Sequence, residues 1–178
     1  MRKLQNEELS RLSVPAFRNS EKTPVIIVLD HVRSHLNVGS IFRSGDAFLV
    51  EAIYLCGITG IPPHREIQKT ALGATETVSW RYFQETSEAI ELLKTEGVQI
   101  IVIEQAEQAL SHEKFTPQKK QRYALVFGNE VDGVQQEIVY AADMVLEIPQ
   151  WGTKHSLNVA VSAGIVLWEC VRKIRFGA

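Results

Sequence analysis

The sequence predicts an α/β fold, a mainly parallel sheet flanked by helices. Three observations predict it. Apolar, β-branched runs recur without polar alternation, the pattern of strands buried on both faces. Helix-patterned segments separate those runs, as crossovers between parallel strands require. The last helical segment is apolar around nearly its whole circumference, so it must be covered on more than one side.

Taken in order, Leu4, Leu9 and Leu12 mark the first twenty residues as a short amphipathic helix, and Pro15 and Pro24 bracket a polar linker. Val25 to Asp30 is the first buried strand. Ala52 to Cys56, Gln99 to Ile103 and Tyr123 to Phe127 repeat its pattern, and Val78 to Phe83 and Met144 to Ile148 add two more strands. Val38 to Phe48, Ser87 to Glu96 and Gln135 to Ala142 read as helices, with Thr86 as an N-cap and Gly97 as a stop. Asn158 to Ile174 is the all-round apolar helix. One side fits the sheet, and Ser162 and Gly164 let another subunit approach the other. Residues 1–178 read as a single domain with a helical extension over 1–22.

Composition narrows the function classes. A chain of 178 residues is long enough for one real core. The longest apolar stretch, Leu157 to Trp168, is too short for a membrane span and is broken by Asn158, Ser162 and Gly164. No secretory leader is expected, because the chain turns acidic at Glu7 and Glu8 where such a leader would be apolar. Cys56 and Cys170 form no metal-ligand spacing and no disulfide framework, so no metal is expected and a reducing cytoplasm is the default. The net charge of −2 means that a polyanionic partner would have to be held by local basic surface, such as Arg33 to Arg43, Lys119 to Arg122 or Arg172 to Arg175.

The chemistry-bearing segments lie just beyond strands. There is no Gly-x-Gly-x-x-Gly turn, Walker sequence or Gly-x-Ser-x-Gly elbow. Instead, Asn37 to Ser44 offers Asn37 as a helix cap, Gly39 for close backbone approach and Arg43 as a bidentate phosphate clamp. Leu125 to Val134 runs a buried strand into a turn with Gly128, Glu130, Asp132 and Gly133, where the glycines permit tight geometry around a ligand. Ile148 to Ala160 ends a strand at Pro149, passes through a polar loop and opens the last helix at Ser156 or Asn158, whose free N–H groups suit a polar ligand.

Together and in this order, Asn-x5-Arg, Phe-Gly-x-Glu-x-x-Gly and Ile-Pro…Gly…Ser-Leu-Asn-Val, the segments resemble the SpoU/TrmH branch of the SPOUT methyltransferases from Val25 to the C-terminus. Three positions depart from the common pattern: Val134, Ala160 and the Gln150-Trp151 pair. The resemblance implies a C-terminal deep trefoil knot, a rare exception to unknotted topology. It implies a homodimer and S-adenosylmethionine (SAM) as cofactor, held around Phe127, Gly128, Asn129, Ile148, Pro149, Gly152, Ser156 and Leu157. It implies methyl transfer to a ribose 2′-hydroxyl of tRNA or rRNA by Arg43, Asn37, Glu130, Ser156 and Asn158. With no extra RNA-binding domain expected, the chain would touch RNA through Arg33, His35, Arg43, Arg65 and Lys69, the last two within the His64 to Gly73 segment, which is a candidate for substrate contact. Arg43 suits a phosphate clamp better than a base, because a guanidinium gives up its proton only at great cost. His35 and His155, imidazoles that could in principle act as bases, read as polar loop residues. The alternatives are a non-catalytic RNA-binding relative, a base methyltransferase, and an unrelated α/β nucleotide-binding protein.

Overall fold

The structure, a computed structural model, describes residues 1–177. Seven parallel strands form one sheet in the order β3-β2-β1-β6-β4-β7-β5. They are β1 Thr23–Asp30, β2 Val50–Cys56, β3 Trp80–Phe83, β4 Gln99–Ile103, β5 Leu110–Ser111, β6 Tyr123–Phe127 and β7 Met144–Glu147. The helices are α1 Val14–Asn19, α2 His35–Ala47, α3 Arg65–Ala71, α4 Ala74–Thr77, α5 Thr86–Thr95, α6 Gln136–Ala141 and α7 Val159–Phe176.

The continuous apolar runs arise because the central strands are covered twice. In β1, Val25, Ile27 and Leu29 face one core with α2, α3 and α7. Ile26 and Val28 face a second core with α5 and α6. A period of two therefore exists in β1, but both phases are apolar, so no alternation shows in the sequence. On α2, Gly39 is required by packing. A Cβ there would stand 2.1 Å from Thr70 Oγ1 and 2.3 Å from Ile67 O, so only glycine lets α3 lie this close.

The N-terminal segment differs from the expectation. There is no single amphipathic helix over the first twenty residues. A 3-10 turn at Asn6–Glu8 is followed by the six-residue α1, which occupies the supposed linker, with Pro15 in its first turn. Leu4 and Leu12 are exposed, and Phe17 is the residue that reaches the core. One buried aromatic anchors the segment more effectively than a sparse leucine stripe.

Two caps also move. Ser34, not Asn37, caps α2 by accepting from Asn37 N at 3.3 Å. Glu85 precedes α5, and Thr86, fully buried inside it, donates instead to Asp30 Oδ1 at 2.6 Å. Asp30 Oδ2 also accepts from Gln135 N at 2.7 Å, so this buried carboxylate ties β1 to α5 and to the approach to α6. Among the described residues no helix is long and apolar enough to cross a membrane.

α7 is covered along one face within this chain. Val159, Ala163, Val166, Leu167, Cys170 and Val171 are buried against α2 and the sheet. Val161, Ile165 and Trp168 form an outward apolar stripe, and a Cβ added at Gly164 would meet open space.

Candidate functional site

The main cavity, about 500 Å³, opens beyond the carboxyl ends of β4, β6 and β7. The carboxyl ends of parallel strands are where α/β sheets bind ligands, because strand-end loops and helix N-termini converge there. One wall is Phe127 to Gly133, a second is Ile103 to Gln105, and a third is Ile148, Gln150 and His155 to Val159. Of the residues assigned to a cofactor, Phe127, Gly128, Asn129, Ile148, Ser156 and Leu157 line this space. Pro149 and Gly152 do not; Gly152 sits on the exposed outer part of the loop.

The Gly128–Gly133 turn is built by its own backbone. Asn129 and Gly133 exchange N–H···O bonds of 3.1 and 3.2 Å. Asn129 Oδ1 accepts from Val131 N and Asp132 N, both at 2.8 Å, closing the turn from inside. Gly133 has φ +71°, and a Cβ on Gly128 would stand 2.0 Å from Gly133 C. Both glycines thus serve the turn's approach to itself, a different cause from the ligand contact expected of them.

From this turn Glu130 reaches across to α2. Its carboxylate accepts from Arg33 N at 3.1 Å, Ser34 N at 3.3 Å and Asn37 Nδ2 at 2.9 Å. Arg33 and Ser34 precede the first turn of α2, whose dipole also favours an anion. Burial pushes the Glu130 pKa up, but the bonds from Asn37 and from the backbone outweigh it and hold the carboxyl below the usual range. Asn37 Oδ1 in turn accepts from Asn158 Nδ2 at 3.1 Å. Asn158 Oδ1 caps α7, accepting from Ala160 N at 2.9 Å and Val161 N at 3.3 Å. Glu130, Asn37 and Asn158 form one relay that joins the β6 turn to the N-termini of α2 and α7 at the cavity mouth. Ser156, the alternative cap, lines the cavity instead.

Arg43 is not in this relay. It is exposed on α2, six residues or about 9 Å beyond Asn37, and makes no hydrogen bond or ion pair among the described residues. Arg33 is exposed, its guanidinium 3.9 Å from Asp132. Arg65 and Lys69 border a shallow concavity with Leu36 and Glu66. The His35 ring stacks on His64 with centroids 3.8 Å apart, and one donor atom from each of His35, His64 and Glu66 falls within a 4.8 Å group. No spacing motif announces that group. His64 Nδ1 is already engaged, accepting from Glu66 N at 3.3 Å, and both histidines sit at helix N-termini, which repel cations.

Sequence reasoning passed over Glu104 and Gln105. Glu104 accepts from Gln105 N at 2.8 Å and Val134 N at 3.1 Å, and Gln105 Nε2 donates to His155 O at 2.6 Å. The available signal was their place directly after a buried strand, the same placement that marked the three motifs.

The model of the SpoU rRNA Methylase family matches residues 24–168. The chain belongs to that family. Among curated SpoU relatives, the 23S rRNA (guanosine-2′-O-)-methyltransferase RlmB of Neisseria meningitidis is 31% identical over 88% of this chain and 62% of its own length. RlmB of Vibrio parahaemolyticus is 29% identical over 94% of this chain and 66% of its own. The chain therefore spans a little under two thirds of these relatives. An AdoMet-bound rRNA methyltransferase from Sinorhizobium meliloti superposes with a TM-score of 0.79 and 28% identity, over 89% of this chain and 60% of that one. The A. aeolicus TrmH/SpoU tRNA modifying enzyme gives 0.77 and 27%, over 88% and 78%.

Proposed function

We propose that this chain is a SAM-dependent RNA methyltransferase that modifies a ribose 2′-hydroxyl of tRNA or rRNA. The observation that carries the proposal is the Glu130–Asn37–Asn158 relay at the mouth of the strand-end cavity. It joins residues from all three family motifs in hydrogen-bond contact.

The cavity fits the cofactor. Its volume of about 500 Å³ suits a nucleoside of drug-like size, its wall mixes Ile148, Leu157 and Val159 with main-chain polar groups, and carboxylates at its edge suit a cation. When bound, SAM supplies an activated methyl group. Phe127, Ile148 and Leu157 would cover its apolar parts, and the backbone of Gly128 and Asn129 would meet its polar edge. The chain's own residues then act by alignment and by excluding water. Glu130, Asn37 and Asn158 hold the two helix N-termini and the turn in fixed relation. Ser156 offers a hydroxyl toward the acceptor ribose. Arg43, a permanent cation with no partner among the described residues, clamps a phosphate beside that ribose and stabilises the developing oxyanion. Arg33, His35, Arg65 and Lys69 add backbone contacts along the same surface.

Three further parts belong to this reading. Residues 127–158 would thread the trefoil knot, supported by the meeting of the β6 turn and the 148–158 loop around one cavity. A second copy would cover Val161, Ile165 and Trp168 on α7, exposed at 51%, 36% and 50%. On this reading the protein would work in the cytoplasm.

Incubation with labelled SAM and separate tRNA and rRNA fractions tests the proposal. The expected product is a nucleotide whose 3′ linkage resists alkali, with Arg43→Ala losing turnover while S-adenosylhomocysteine binding is retained. Full activity of Arg43→Ala overturns the role of Arg43. Label in a base overturns the ribose assignment.

A further inference from the structure

We infer that Glu104 is the residue that recognises the cofactor's ribose, accepting hydrogen bonds from its 2′- and 3′-hydroxyls; the inference rests on the methyltransferase reading above. β4 and β6 are adjacent parallel strands. β6 runs into the Gly128–Gly133 turn and Glu104 directly follows β4, so the turn and a carboxylate stand side by side beyond neighbouring strand ends. In dinucleotide-binding α/β folds a strand-end turn meets the nucleotide through its main chain and a nearby acid takes the ribose hydroxyls. No Gly-x-Gly-x-x-Gly sequence is needed for that geometry, which is why its absence from the chain did not exclude it.

The carboxylate is already oriented. Glu104 Oε1 accepts from Gln105 N at 2.8 Å and Oε2 from Val134 N at 3.1 Å. Each carboxylate oxygen can accept a second hydrogen bond, so two neighbouring acceptor positions remain, matching a vicinal diol. The side chain is half-buried and lines the cavity. No Lys, Arg or His pairs with it among the described residues. The other two acids at the cavity are committed elsewhere. Glu130 is turned to α2, and Asp132 lies outward beside Arg33. Gly133 also fits Glu104: a Cβ there would stand 2.2 Å from Glu104 Oε2, so any side chain at 133 would displace the carboxylate.

The test compares binding of S-adenosylhomocysteine and its 2′,3′-dideoxyribose analogue by calorimetry, in the wild type, Glu104→Gln and Glu104→Asp. The wild type should prefer the diol by roughly 10- to 100-fold, the range of a hydrogen bond to a charged group. Both variants should lose most of that preference, and the dideoxy analogue should bind all three proteins alike. A merely structural role for Glu104 would instead weaken both ligands together and leave their ratio unchanged, which overturns the inference. So does a wild type that binds both ligands equally well. If Glu104→Gln does not fold, Glu104→Asp, which keeps the charge but withdraws it by one methylene, carries the same comparison. Failure of the wild type to bind S-adenosylhomocysteine at all would strike the methyltransferase reading itself, and that outcome is distinct from the other two.

Discussion

The two loops that enclose the cavity are held very differently. The turn after β6 is fixed at every step: Asn129 and Gly133 bond each other, Glu104 takes Val134 N, Asp30 takes Gln135 N, and Glu130 reaches α2. The loop after β7 is nearly free of such ties. Trp151 to Asn158 are all exposed, and the side-chain bonds that reach them from other elements are Gln105 to His155 O and the contact between Asn37 and Asn158. One wall is therefore preformed and the other is left for a ligand or a second copy to complete. On the proposed reading, in which the site admits a cofactor and an RNA, this division is useful because only the loosely held wall has to yield.

That contrast can be broken by mutation, and the largest effect is expected at Asp30. Asp30→Ala strands the Thr86 hydroxyl and Gln135 N in the interior, so a loss of about 2–5 kcal/mol is expected in urea unfolding. A loss below about 1 kcal/mol would mean that the turn does not depend on this anchor.

Glu130→Gln should cost about 1–2 kcal/mol at neutral pH, because an amide cannot accept for all three donors without opposing one of them, while solvent at this exposed side chain screens part of the loss. The wild-type advantage should depend on pH. A carboxyl whose folded pKa is lowered contributes stability that is fully present above the unfolded carboxylate range and is lost as pH falls through the folded value. The two stability curves should therefore converge on acidification, and parallel curves would count against the relay.

Asn158→Ala removes the α7 cap and the link to Asn37, with about 0.5–2 kcal/mol expected. Asn158→Asp should restore most of the cap but not the donation to Asn37, separating the two roles. The smallest effect belongs to the loose wall. Trp151→Ala, at a side chain 93% exposed, should change stability by no more than about 0.5 kcal/mol. Amide exchange should show the same order without mutation, with Asn129 and Gly133 protected and residues 151–157 exchanging fast.

How far the fold could be read from the sequence follows from the same physics. Gln99–Ile103 and Tyr123–Phe127 stand where the apolar runs placed them, since burial on both faces leaves no polar residue inside a strand. β5, two residues at the edge, has no such run and gave no signal. The N-terminal helix failed because three leucines suggested a face, whereas Phe17 alone supplies the anchor. Caps misled because Ser34, Asn37 and Thr86 are all good cap residues, and their distant partners chose among the roles. In the site, the bonds of Glu130 to Asn37 and Asn37 to Asn158 span 93 and 121 residues. No local pattern carries such a link; the three motifs stood out only as a family likeness. Glu104 was missed because a lone acid after a strand carries no motif until the neighbouring turn is seen beside it.

The most direct measurement is a calorimetric titration of the protein with S-adenosylhomocysteine, followed by amide exchange of the complex. The account predicts saturable binding at a single site per chain, with new protection concentrated in residues 150–157 and little change in 128–134. Absence of binding would contradict the assignment of the cavity to this cofactor, and equal gains of protection in both loops would contradict the division between a preformed and a completed wall.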